Sequence, residues 1–169
     1  MAFSDSYAID AAGTVLWPDH KAYYGQGGSS LLDTDGVFEG ADVLRACLAE
    51  RNLILNVSAV LWRRAALIAA LDRCAGAIET FKMAGDWRLY AELLAGGGKV
   101  AYVAQPLNAH RRHSDSVTHR LATRRHLAEV RQMHLHMRTL LGRQPGLADS
   151  QRRALTATKR ALRDKQTQP

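Results

Sequence analysis

The sequence predicts an α/β chain that ends in a basic helical extension, and three observations carry that reading. Strand-like and helix-like segments alternate along most of its length, the pattern of a sheet layered with helices and containing some parallel pairing. The composition, 47% hydrophobic and 23% charged, is that of a globular chain rather than a disordered or fibrous one. The charge is split: residues 1–110 hold nine Lys/Arg against twelve Asp/Glu, and residues 111–169 hold fourteen against four.

At 169 residues the chain suits one ordinary domain, given roughly 100–200 residues per domain. Phe3 to Ile9 reads as a strand, and Ala11-Ala12-Gly13-Thr14 as a turn into Val15-Leu16-Trp17, which makes a hairpin. Pro18 to Ser30, with Gly25, Gly27 and Gly28, is a loop. Gly36 to Leu48 places Ala41, Leu44, Cys47 and Leu48 on one helical face. Asn52 to Leu61 is apolar and β-branched enough for a buried strand, and Arg64 to Leu71 is a helix. Asp86 to Leu94 is an amphipathic helix stopped by Gly96-Gly97-Gly98. Lys99 to Val103 follows as a strand that Pro106 ends. Leu127, Val130, Met133 and Met137 recur at helical spacing between Leu121 and Met137. After Pro145-Gly146 a second basic helix covers Ser150 to Arg163.

These features bound the function classes. The longest apolar run, Leu53 to Trp62, stops at Arg63-Arg64, short of the roughly 18 residues a membrane span needs. Met1 to Ser6 lacks the basic and apolar regions of a secretory signal, so a cytoplasmic location is expected. Cys47 and Cys74 match neither a CxxC pair nor a zinc site and read as small core residues. The basic end suits a polyanion: nucleic acid, an anionic membrane face or a phosphorylated ligand.

Three clusters carry potential chemistry: Asn56-Val57-Ser58 running into Arg63-Arg64, Gly85-Asp86-Trp87-Arg88-Leu89-Tyr90, and Leu107-Asn108-Ala109-His110-Arg111-Arg112-His113 continuing to Ser116-Val117-Thr118. Asp86 stands at a helix start, where a carboxylate serves as a first-turn acid or N-cap or as a general base. The His-Arg run reads as a solvated basic loop or as an anion site, for which the planar Arg fork suits a diphosphate. Arg63-Arg64 reads as surface charge at a helix start.

In this order, together with the Gly97-Gly98-Lys99-Val100-Ala101-Tyr102-Val103 strand, the clusters resemble the C-terminal half of family-2 glycosyltransferases of the GT-A fold. The resemblance covers Phe3 to His119. It implies a domain of residues 1–119, the acceptor-side half of a GT-A sheet with flanking helices, followed by a basic helical tail of residues 120–169. The implied reaction is transfer of a sugar from a nucleotide-sugar to an acceptor hydroxyl with inversion, in polysaccharide or glycoconjugate synthesis. Asp86 is the implied base, Arg111 and Arg112 the diphosphate contacts, and His113 a ligand of a divalent cation, Mn2+ or Mg2+, with Ser116 and Thr118 as further hydroxyl contacts. Asn56 and Ser58 are the implied acceptor-pocket residues, and Trp87 and Tyr90 read as core or acceptor-platform residues, with Trp87 the substrate contact if the platform reading holds. The acceptor would be a glycan or a lipid-linked sugar, and the tail either docks on the inner membrane face or is a solvated helix pair. Ser4-Asp5-Ser6 matches the strand after the family's D-x-D cation motif rather than the motif itself. The chain is therefore expected to be half of an enzyme and inactive alone. The rival is a non-enzymatic module whose basic tail binds nucleic acid. No Trp, Tyr or Phe follows Tyr102, which leaves single strands nothing to stack on.

Overall fold

The computed structural model describes residues 1–21, 28–112 and 123–166. At its centre, β1 (Ala2–Ile9) and β5 (Lys99–Arg111) run parallel. β2 (Val15–Trp17) pairs antiparallel with the end of β1, and β4 (Val60–Leu61) pairs antiparallel with its start. β3 (Gly36–Glu39) closes the other side, antiparallel to β5. The order β2-β1-β5-β3 is a mixed sheet, and the predicted α/β class with flanking helices holds. The hairpin follows from its turn: Asp10 Oδ1 accepts the Thr14 amide at 2.8 Å, and Gly13 takes φ 93°, which glycine adopts without strain.

Four helices form the layer beside the sheet. α1 (Gly40–Val43) runs into a π-helical turn to Leu48, followed by α2 (Arg64–Cys74), the single turn α3 (Ala77–Thr80) and α4 (Gly85–Ala95). α5 (Thr123–Leu141) and α6 (Leu147–Gln166) complete the chain. Tyr90, Leu48 and Val100 lie fully buried between sheet and helices. The Phe3 and Tyr102 rings meet across β1 and β5 at 4.8 Å.

Three elements differ from expectation. Asn52 to Leu61 is not one strand: only Val60–Leu61 pairs, after a 3-10 turn at Val57–Ala59. Two asparagines break the ladder by offering the backbone local partners. Asn52 Oδ1 accepts the Ile54 amide and Asn56 Oδ1 the Ser58 amide. Gly36 to Leu48 begins as β3, because Val37 and Phe38 alternate across an edge strand before the chain turns helical at Gly40. There the Gly40 amide donates to the Gly98 carbonyl at 2.7 Å, and a Cβ would sit 2.9 Å from that oxygen. β5 also does not end at Pro106. It passes through it with irregular register, Ser4 pairing with Val103, Asp5 with Pro106 and Ser6 with Asn108. A proline lacks the amide a regular ladder requires, and the strand bulges around it.

The helical end is bound to the rest of the fold rather than free of it. Val130, Met133 and Met137 of α5 are buried in the same core as α4. Gln151 of α6 is fully buried, donating to the carbonyls of Ala49 and His134 and accepting from Arg138 at 2.7 Å. Glu129 of α5, 5% exposed, accepts the amides of Lys82, Met83 and Ala84 at 2.9–3.1 Å. Those amides precede α4 and would otherwise be unpaired donors.

Candidate functional site

Asp86 is the second residue of α4. Glu129 takes the three amides ahead of the helix, and the first-turn amide of Trp87 is left to Asp86. The Asp86 carboxylate accepts its neighbour Trp87's amide at 2.7 Å through Oδ1 and the Asn52 side-chain amide at 3.3 Å through Oδ2. Burial pushes its pKa up to about 6, against the backbone amides and Asn52, which pull it down. It is thus ionised at neutral pH yet basic enough to take a hydroxyl proton in a transition state.

Asn52 opens an extended segment that leads away from Asp86 to Asn56. There the Asn56 side chain donates to Asn108 Oδ1 of β5 at 2.6 Å, and the Asn108 amide group reaches the Ser58 carbonyl at 3.5 Å. Asn56, Ser58 and Asn108 therefore converge, and the 52–56 segment connects them to Asp86. Behind the segment lies a cavity of about 20 Å³, lined by Asp5, Ser6, His20 and Lys21 together with Leu53 to Asn56.

Arg111 and Arg112 sit at the far end of β5. Arg111 Nη1 donates to the carbonyls of Asp10 and Ala11 at 2.9 and 3.0 Å, holding the β1–β2 turn. The Arg112 amide donates to Ile9, and its guanidinium lies 5.2 Å over the Trp17 ring. No hydrogen bond or ion pair among the described residues joins either arginine to Asp86. His113, Ser116 and Thr118 lie outside the described residues. Among the described residues no three His, Cys, Asp or Glu side chains are grouped to hold a cation.

Of the two roles expected of Trp87, core residue or acceptor platform, the structure shows the core packing. The residue is 4% exposed and its indole donates to the Leu48 carbonyl at 2.9 Å, with His134 edge-on to the ring at 6.0 Å. One residue on from Asp86, it lies about 100° round the helix and enters the core, where no ring face is left for a sugar. Trp87→Phe is expected to lower stability by about 1–3 kcal/mol, since it strands a buried carbonyl, without altering substrate affinity; thermal unfolding beside a binding titration checks both.

Sequence reasoning did not single out Glu129 or Gln151. One glutamate and one glutamine in a basic helical pair carry no distinguishing signal until their distant backbone partners are known. Compared with protein-family models, with curated proteins and with solved structures, the chain matches none.

Proposed function

We propose that the chain is the acceptor-side half of a GT-A-type inverting glycosyltransferase, with Asp86 as the base that deprotonates the attacking hydroxyl. The observation that carries this reading is Asp86 itself: a carboxylate fixed at a helix start by the Trp87 amide and the Asn52 side chain, and raised by burial to about 6. The linked Asn56–Asn108 pair supports it by giving the acceptor a polar wall along the same segment. The parallel β1–β5 pair supports it too, because open α/β sheets bind ligands beyond the carboxyl ends of their parallel strands. Asp86 would take the proton as the acceptor oxygen bonds to the anomeric carbon and the nucleoside diphosphate leaves. Arg111 and Arg112 would meet that diphosphate only by exchanging some of their present contacts with the hairpin.

The exposed outer face of α6, with Arg152, Arg153, Lys159 and Arg160, would rest on an anionic membrane surface where lipid-linked acceptors lie. No helix among the described residues is long and apolar enough to cross a membrane.

The isolated chain with manganese and common nucleotide-sugars is expected to show no transfer, because only part of the donor contacts is present to offset the cost of immobilising the ligand. A fusion that adds an N-terminal GT-A half is expected to transfer sugar. Product analysis by mass spectrometry reads both. Transfer by the 169-residue chain alone would overturn the half-enzyme reading, and an inert, folded fusion would remove the glycosyltransferase reading.

A further inference from the structure

A larger hollow, about 680 Å³ in volume, opens where β1 and β5 begin and α4 ends, beside the first turn of α2. The length of α4 separates it from Asp86, which stands at the start of that helix. Its shape follows from the register of the sheet. Leu61, Ala2, Ala101 and Val37 are successive cross-strand partners on β4, β1, β5 and β3, and all four line the hollow. The two central positions carry only methyl groups. The two outer ones are large and stand 75% and 67% exposed, so the row is a trough of alanine between walls of Leu61 and Val37. Buried Leu93 and half-buried Trp62, stacked on Tyr90 at 5.4 Å, extend the apolar lining. Gly97 and Gly98 turn the chain from α4 into β5 at φ 87° and 95°, and a Cβ on either would meet no atom within 4 Å, which leaves that side open.

The charge around the trough has one sign. Arg63 and Lys99 line it, both exposed, and none of the described lining residues is acidic. Lys99 has Glu39 at 3.5 Å, a contact between two exposed side chains that carries little weight. Arg63 meets no hydrogen-bond or ion-pair partner among the described residues. Isolated exposed apolar residues are ordinary, whereas a grouped patch with a polar rim marks a binding surface. The volume falls in the range of roughly 300–1,000 Å³ found for small-ligand sites.

We propose that this trough binds a single-chain amphiphile with an anionic head, its alkyl chain along the Ala2–Ala101 row and its carboxylate or phosphate on Arg63. A slender chain fits between Leu61 and Val37 and buries their facing surfaces. The planar guanidinium fork takes either head through two parallel hydrogen bonds. The site uses no residue of the glycosyltransferase reading and does not depend on it.

The test is a titration of the full chain, labelled with nitrogen-15, below the micelle concentration of each probe. Octanoate, decanoate and dodecanoate vary the chain, decyl phosphate varies the head, and decyl maltoside and acetate remove the charge and the chain in turn. The long-chain anions are expected to give saturable amide shifts at Leu61, Trp62, Arg63 and Gly98, with affinity rising roughly fourfold per added methylene. The tighter of decanoate and decyl phosphate identifies the head. Arg63→Gln is expected to weaken decanoate about tenfold or more, Ala2→Leu to abolish binding by filling the trough, and the exposed Arg143→Gln to leave it unchanged. Spectral dispersion shows whether each variant is folded, and Leu61→Ser, at an exposed position, carries the test if Ala2→Leu is not. Absence of saturable shifts with all four anions overturns the site, as do affinities that ignore chain length, decyl maltoside binding as tightly as decanoate, or decanoate binding that survives Arg63→Gln. Sedimentation showing a dimer that shifts the same amides without any probe would assign the trough to a second copy instead. A fusion that transfers no sugar would sink the enzyme and leave this site standing.

Discussion

Asp86→Asn in the fused enzyme is expected to cut turnover by about 10²–10⁴-fold, the usual contribution of a general base, with donor affinity unchanged. The amide keeps the size of the side chain but its oxygen is far too weakly basic to take the proton, so the loss falls on kcat. In the unsubstituted enzyme turnover should rise through about pH 6, where the Asp86 carboxyl ionises, and level off above it. The same substitution should stabilise the fold. Burial raises the folded-state pKa from the usual 3.8 to about 6, so the native state holds its proton more tightly than the unfolded chain. Ionisation then works against folding. That penalty is absent below about pH 4, grows between about 4 and 6, and is complete above, reaching up to about 3 kcal/mol. Asp86→Asn should therefore raise the melting temperature at pH 8 and lose that advantage at pH 4. Unaltered turnover in the Asn variant would remove Asp86 from the mechanism. A melting temperature lowered at both pH values would mark the residue as structural.

The second large effect belongs to Glu129. Its carboxylate binds three consecutive amides and the Arg125 side chain, and although burial opposes ionisation, these bonds hold its pKa below the usual 4.5. A lowered pKa means a contribution to stability that is present above that usual value and fades as pH falls through the folded-state value. Glu129→Gln replaces one acceptor oxygen by an amide that faces N–H groups and is expected to cost roughly 3 kcal/mol, or about 6–12 °C in Tm for a chain of this size. The difference from the unsubstituted protein should shrink in acid. Since the bound amides lead into the helix that carries Asp86, turnover of the fused enzyme is expected to fall as well. Equal melting of the two proteins at pH 7 would show that Glu129 does not organise the start of α4.

Much of the α/β frame was legible because it rests on local signals. The alternation in Phe3 to Ile9, the Asp10-to-Thr14 turn and the glycines after Leu94 each act within a few residues, and β1, the hairpin and α4 fall where those signals put them. Asp86 was legible as a residue for the same reason, since a helix start announces itself. Tertiary structure decided what each of these meets. Whether Asn52 to Leu61 was a strand depended on two asparagine side chains choosing nearby amides over a ladder. Whether Trp87 faced substrate or core depended on the side of α4 that the buried methionines of α5 would cover, and residues 123–166 carried no sign that they would pack there. The capping of α4 by Glu129, the burial that raises Asp86 and the cavity at Asp5 and Ser6 all arise between residues far apart in the chain. Periodicity reports which face of an element is apolar; it holds no information on which partner covers that face, and burial and pKa are set by the partner.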